Sequence, residues 1–125
     1  MTKDRQFYDE HMRYLAAGDI VGLINNTYHE DAILFHNLPY FEGPSPHRHQ
    51  GREEIINAHL VFMRPDNLGA AQVGEMSNWI EDGDHICFQI PLTIPGDGTW
   101  VNTTMWVLLG GMLAREYVLR TRVAD

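Results

Sequence analysis

The sequence predicts an α+β fold in which three helices lie on one face of a curved antiparallel sheet. The first observation behind this is the last third of the chain, Gly69 to Val123, where alternating segments are cut by Glu81-Asp82-Gly83-Asp84, Pro95-Gly96-Asp97-Gly98 and Gly110-Gly111. Asp-Gly, Pro-Gly and Gly-Gly pairs supply the positive or preset φ that hairpins need, so four strands in a meander follow. The second is apolar spacing of 3 and 4 residues over the first 24 residues and again around residue 59, the signature of helices packed on one side. The third is a requirement: a meander must bury at least one face, and only the N-terminal helices are available to cover it.

The elements follow in order. Asp4 is placed to cap a first helix whose stripe is Phe7, His11, Tyr14 and Leu15, and Gly18 is placed to end it. Asp19 caps a second helix carrying Ile20, Leu23 and Ile24, so the chain turns a sharp corner at Gly18-Asp19. Ala32 to His36 reads as a short strand. Asn37 to Gln50, with Pro39, Gly43, Pro44 and Pro46, reads as a loop, and one this long in a compact domain is usually functional or mobile. Glu53 and Glu54 oppose the dipole at the start of a third helix. Its stripe is Ile55, His59, Phe62 and Met63, Pro65 stops it, and Asp66 to Ala70 links it to the meander. There Trp79-Ile80 leads into the first turn. Ile86, Phe88, Ile90, Leu92 and Ile94 then share one face against His85, Cys87, Gln89 and Thr93. Trp100–Leu109 and Met112–Arg122 complete the meander. Pro91 cannot donate to a ladder, so an edge, bulge or bend is expected there.

The chain has 125 residues, read as one domain (1–125) large enough for a real core. A net charge of −8 excludes the basic footprint that nucleic acid or an anionic membrane requires. No apolar run approaches the roughly 20 residues of a membrane span. The Met-Thr-Lys-Asp-Arg start lacks the apolar core of a signal peptide. A lone Cys87 permits no internal disulfide, which points to a reduced, cytoplasmic setting.

Three stretches carry a resemblance: Tyr14-Leu-Ala-Ala-Gly18-Asp19-Ile20-Val-Gly-Leu, then Tyr28-His-Glu-Asp31-Ala32, then Gly51-Arg52-Glu53-Glu54-Ile55. Together they resemble the nuclear transport factor 2-like superfamily, the group of SnoaL-like polyketide cyclases, ketosteroid isomerase and limonene epoxide hydrolase, over Arg5 to Thr121. The resemblance implies a cone: a bent sheet closed at one end by helices around an apolar pocket. It also implies a homodimer through the outer sheet face, consistent with Val101, Met105 and Val107 lying opposite Trp100 and Trp106. Counted onto this sequence, the isomerase's base falls on His36, its oxyanion acid near Thr104 and its oxyanion tyrosine on His11, with Tyr14 one turn away; that triad is not intact here. His36-Asn37-Leu38-Pro39 and Arg115-Glu116-Tyr117 look like two motifs of the epoxide hydrolase. That enzyme's Arg-x-Asp pair corresponds to Gln89-Ile90-Pro91, where no charge relay stands.

The candidate residues follow from residue chemistry. His36, with an imidazole that titrates near neutrality, is a candidate general base or acid. Glu116 sits in a strand otherwise apolar on that face, where a carboxylate can shuttle a proton; its plainer role is an ion pair with Arg115 of a partner or with Arg52. His11, Tyr14 and His59 lie on inward helical stripes and, with Asn102 and Thr104, can donate to an oxyanion. Asn37, Met63, Trp79, Phe88 and Trp106 are candidates to line the pocket. His47-Arg48-His49 with His36 would give three nitrogen ligands, but the spacing is common in surface loops and no Cys or HExxH frame supports it, so no metal is expected. The function that follows is a small cofactor-independent enzyme doing acid–base chemistry (cyclisation, isomerisation or dehydration) on an apolar polyketide-, steroid- or terpenoid-like molecule. The alternatives are a non-catalytic binding module for an apolar ligand or a protein partner, and epoxide-hydrolase-like water activation.

Overall fold

A computed structural model describes residues 1–123; the last two residues of the expected domain lie outside them. The elements are helices α1 (Lys3–Ala16), α2 (Ile20–Thr27) and α3 (Arg52–Phe62), with strands β1 (Tyr28–His36), β2 (His47–Gln50), β3 (Gln72–Val73), β4 (Ser77–Asp82), β5 (His85–Ile94), β6 (Gly98–Leu109) and β7 (Met112–Arg122). The sheet is curved and unclosed, in the order β2-β1-β7-β6-β5-β3, and β4 shares the far edge of β5 with β3. The three helices cover its inner face. Leu23, Ile24, Tyr28, Leu34, Ile55, Ile86, Trp106 and Leu113 are all buried between the two layers. No helix is long and apolar enough to cross a membrane among the described residues.

The meander and the helical corner form as expected. The Asp19 carboxylate accepts from the Gly22 amide at 2.9 Å and starts α2 one residue after Gly18, which holds φ +71°. The inward face of β5 carries Ile86, Phe88 and Leu92, all buried.

Several expectations are corrected. The cap of α1 is Thr2, whose hydroxyl accepts from the Arg5 amide at 3.1 Å, and Asp4 sits in the first turn. The strand expected at Ala32 begins at Tyr28. The expected Asn37–Gln50 loop ends in β2, whose pairing of His36 with His47 and Leu34 with His49 depends on β1. The sheet is not wholly antiparallel, because β1 runs parallel to β7 with Leu34 opposite Glu116. A π-helical turn, Pro65–Gly69, occupies the link after α3, and the short β3 follows it.

Pro91 sits where the edge of β5 changes hands. Gln89 pairs with Ser77 of β4, while Leu92 pairs with Val73 of β3. A residue's N–H and C=O point to the same side of a strand, and the Pro91 carbonyl accepts from Gly74 at 2.8 Å on that edge side. The missing N–H therefore faces the gap between β4 and β3, and the ladder to β6 loses nothing.

Candidate functional site

Register places the inward side chains in rows. Leu34, Glu116, Trp106 and Ile86 form one row across β1, β7, β6 and β5. His36, Val118, Thr104 and Phe88 form the next, and Arg120, Asn102 and Ile90 the one after. Rows lie two residues apart, about 6.7 Å. Between these rows and helices α1 and α3 is a cavity of about 520 Å³. Its walls are mainly apolar: Met12 and Leu15 from α1, Phe62 and Met63 at the end of α3, Ile90 and Leu92 from β5. The polar groups on it are His11, His59, Asn102, Thr104 and Glu116, with Trp106 beside them. Seven sequence candidates therefore converge with Glu116: His11, His59, Met63, Phe88, Asn102, Thr104 and Trp106.

Glu116 is 5% exposed and is the one carboxylate among the described residues that line the cavity. Arg52, one expected companion, does not pair with it. The Tyr28 hydroxyl donates to Oε1 at 2.5 Å and the Trp106 indole N–H donates to Oε2 at 2.8 Å. Arg52 instead donates twice to the Tyr28 carbonyl, at 3.0 and 2.8 Å, and so pins α3 to the start of β1. Both carboxylate oxygens are held in fixed directions, yet each keeps a further lone pair for a substrate. Burial, then the Glu116 charge, pushes the Tyr28 phenol well above its ordinary value, so Tyr28 keeps its proton for this bond.

Two histidines complete the wall. His11 packs on Trp106 with ring centroids 4.6 Å apart, and its Nδ1 has no partner among the described residues. Burial, reinforced by His59, holds His11 down to about 3, so it is a neutral donor or acceptor at ordinary pH. His59 Nδ1 faces the Ile55 carbonyl at 2.9 Å. A carbonyl only accepts, so Nδ1 carries the proton and a neutral ring offers Nε2 as an acceptor.

Four candidates fall elsewhere. His36 is 1% exposed and belongs to the inward row, but Phe62 packs on it edge to face at 4.9 Å and it does not line the cavity. Its Nδ1 accepts from the Leu38 amide at 3.0 Å, so its Nε2 carries the proton and donates to His49 Nε2 at 2.9 Å. Burial, then His49, lowers His36 to about 3. Asn37 ties the loop to β7, donating to the Arg120 carbonyl at 3.0 Å and accepting from its amide at 2.7 Å. Tyr14 is half-buried beneath the Arg13 guanidinium, away from the cavity. Trp79 stacks on Phe88, packs against Tyr8 and donates to Glu81 at 2.7 Å, and it does not line the cavity. Where the epoxide hydrolase resemblance would need an Arg-x-Asp pair, Gln89 donates to Thr103 at 2.9 Å and Pro91 has no ionisable group. His36, His47 and His49 stay clustered, with rings 5.2 and 5.0 Å apart, but no group of three metal-ligating side chains fits an ion among the described residues.

Sequence reasoning missed two residues. Tyr28 orients Glu116 from the first residue of β1. Arg120, 6% exposed, lies on the same inward face of β7 as Glu116 and Val118, where period-2 alternation could have flagged it.

No protein-family model matches the chain, and no curated protein matches it. Solved structures do. A candidate ketosteroid isomerase of Kribbella flavida is 16% identical, with a TM-score of 0.70 over 98% of this chain and 81% of that one. A candidate SnoaL-like polyketide cyclase of Mesorhizobium loti is 18% identical, with a TM-score of 0.61 over 94% and 98%. A nuclear transport factor 2-like protein of unknown function from the same organism is 10% identical, with a TM-score of 0.72 over 95% and 91%. These likenesses show the fold: the chain adopts the nuclear transport factor 2-like cone expected from its sequence.

Proposed function

We infer that this cone is a small-molecule enzyme in which Glu116 moves a proton on a largely apolar substrate. The observation that carries the reading is a single buried carboxylate, oriented through both oxygens, on the wall of a cavity otherwise lined mostly by hydrocarbon. A carboxylate so placed can abstract a proton from carbon next to a carbonyl and return it at another position, which is isomerisation, or return it as an oxygen leaves, which is dehydration. The same abstraction forms the carbanion for an intramolecular cyclisation. The developing oxyanion would take hydrogen bonds from Thr104 or the Asn102 amide, with His11 and His59 as further polar partners. All of this chemistry runs on side chains, without a cofactor. The names given to two of the structural neighbours, a ketosteroid isomerase and a polyketide cyclase, agree with this reaction class. In this reading His36 is a positioning residue: it holds the turn at Leu38, which lines the cavity.

A second reading, a ligand carrier, is favoured by one observation: both nitrogens of His36 are already engaged inside the protein. The test separates the two. A panel of polycyclic and terpenoid ketones is screened for isomerisation, cyclisation and dehydration, and Glu116→Gln is compared on any substrate found. Loss of about 10²–10⁴-fold in turnover with binding retained is the expected result. Unchanged turnover removes Glu116 from the chemistry, and binding without any turnover across the panel supports the carrier. As part of the same proposal the chain pairs as a homodimer through the outer face that carries Val101, Met105 and Leu119, which light scattering checks.

A further inference from the structure

Among the described residues Arg120 is the least satisfied charge. It is 6% exposed, and the only hydrogen bond from its guanidinium to a described residue goes from Nη1 to the Tyr40 hydroxyl at 3.0 Å. Nε and Nη2 are buried without a partner, and no carboxylate pairs with Arg120 among the described residues. The guanidinium lies between the rings of Tyr40, at 5.3 Å, and Trp100, at 5.9 Å. Directly across the ladder is Asn102, which lines the cavity and whose Oδ1 is also buried without a partner. A direct bond between the two would satisfy one N–H and the oxygen. It would leave the other nitrogen without a partner and the positive charge met only by the two ring faces, with no anion beside it, and a buried cation without a counter-charge is destabilising.

We propose that Arg120 is an anion-binding subsite behind the Asn102 end of the cavity, which neither Arg120 nor Tyr40 lines in this structure and which opens to it when Tyr40 moves aside, and that the substrate is an apolar molecule bearing one carboxylate. This rests on the proposed proton chemistry at Glu116 and adds the substrate class to it. Arg120 and Glu116 stand on the same inward face of β7, four residues apart, so their Cα atoms are about 13 Å apart. A monoacid can therefore reach from one to the other, with its carboxylate at Arg120 and its reacting carbon near Glu116. The vacant donors Nε and Nη2 form the fork that suits a planar carboxylate. A phosphate dianion would bring a second negative charge into a hollow that already holds Glu116. Tyr40 closes over the guanidinium and its hydroxyl occupies one donor. It sits between β1 and β2, in a segment free of helix and strand, so an arriving acid can displace its hydroxyl without breaking a ladder pair.

The test uses matched probes, 2-naphthylacetate and 2-naphthylacetamide, titrated by calorimetry into the wild type, Arg120→Gln and Glu116→Gln. The acid is expected to bind the wild type at least tenfold tighter than the amide. Arg120→Gln is expected to erase that preference while leaving amide affinity unchanged, and Glu116→Gln is expected to keep it. A purely structural Arg120 would weaken both probes alike, which overturns the proposal. So does equal affinity of the wild type for acid and amide, a result that needs no variant to fold. Displacement of the acid by inorganic phosphate at lower concentration than by acetate would overturn the carboxylate assignment. The two readings fail separately: a lost acid preference leaves the role of Glu116 standing, and unchanged turnover in Glu116→Gln leaves the anion site standing.

Discussion

Replacing Tyr28 by Phe removes one oxygen and leaves the ring where it is. Tyr28 is fully buried, and its hydroxyl serves Glu116, itself 5% exposed. The lost partner leaves one carboxylate oxygen with no donor from the protein. A hydrogen bond to a charged group is worth about 1.5–3 kcal/mol, and stranding a buried charged group costs at least that. With an unfolding entropy of about 2.1 cal/mol/K per residue, the 125-residue chain loses about 0.26 kcal/mol of stability per degree near its midpoint. Tyr28→Phe is therefore expected to lower Tm by about 6–11 °C, measured by calorimetry, with the urea m-value unchanged. The control is the same substitution in a Glu116→Met background. There both partners are apolar, and Tyr28→Phe should be neutral or stabilising. A loss below about 0.5 kcal/mol in the wild type, or an equal loss in both backgrounds, would show that the energy does not reside in this bond.

Three further outcomes follow from the same geometry. His11 and His36 both titrate at about 3 when folded, against about 6.5 in the unfolded chain, so between those values the unfolded state binds more protons. Their contribution is complete above pH 6.5 and is lost as pH falls toward 3, at up to about 1.4 kcal/mol per pH unit for each. The urea midpoint should fall between pH 6.5 and 5, before carboxylates contribute, and His11→Leu should flatten part of that fall; a midpoint constant over this range refutes it. Asp19→Ala removes the acceptor for the Gly22 amide and should cost about 1 kcal/mol by urea unfolding, because α2 has only 8 residues to absorb the loss. Asn37→Ala removes both ties to Arg120 and should speed hydrogen exchange at the Arg120 amide while the β5–β6 amides stay protected.

What was readable in the chain was what local chemistry decides. Gly18-Asp19 turns a corner because one residue must take positive φ and the next can cap. Ile86, Phe88 and Leu92 point inward because strands alternate. What escaped depends on partners distant in sequence. His47–Gln50 is polar and short, and only β1 makes it a strand. The parallel pairing of β1 with β7 leaves no local trace, and without it the opposition of Leu34 and Glu116 cannot be foreseen. His36 does end a strand on the inner side, as its position implied, but Phe62 from α3 screens it from the cavity. Glu116 was legible as a buried acid, while its neutral donors Tyr28 and Trp106 were not, because an arginine is the more obvious companion. Arg120 was visible at the same period of two, but nothing local marks an arginine near the end of a strand as buried.

The pairing of β1 with β7 also governs how the molecule comes into being on the ribosome. Tyr28 and Glu116 are 88 residues apart, so at about 5–20 residues per second the nascent chain waits some 4–18 s between making one and making the other. Through that interval the greasy sides of α1, α2 and α3 have no finished wall to rest on. Closing so long a loop is slow and late. The half-synthesised protein, rather than the finished one, is therefore the form most exposed to aggregation and most dependent on a chaperone.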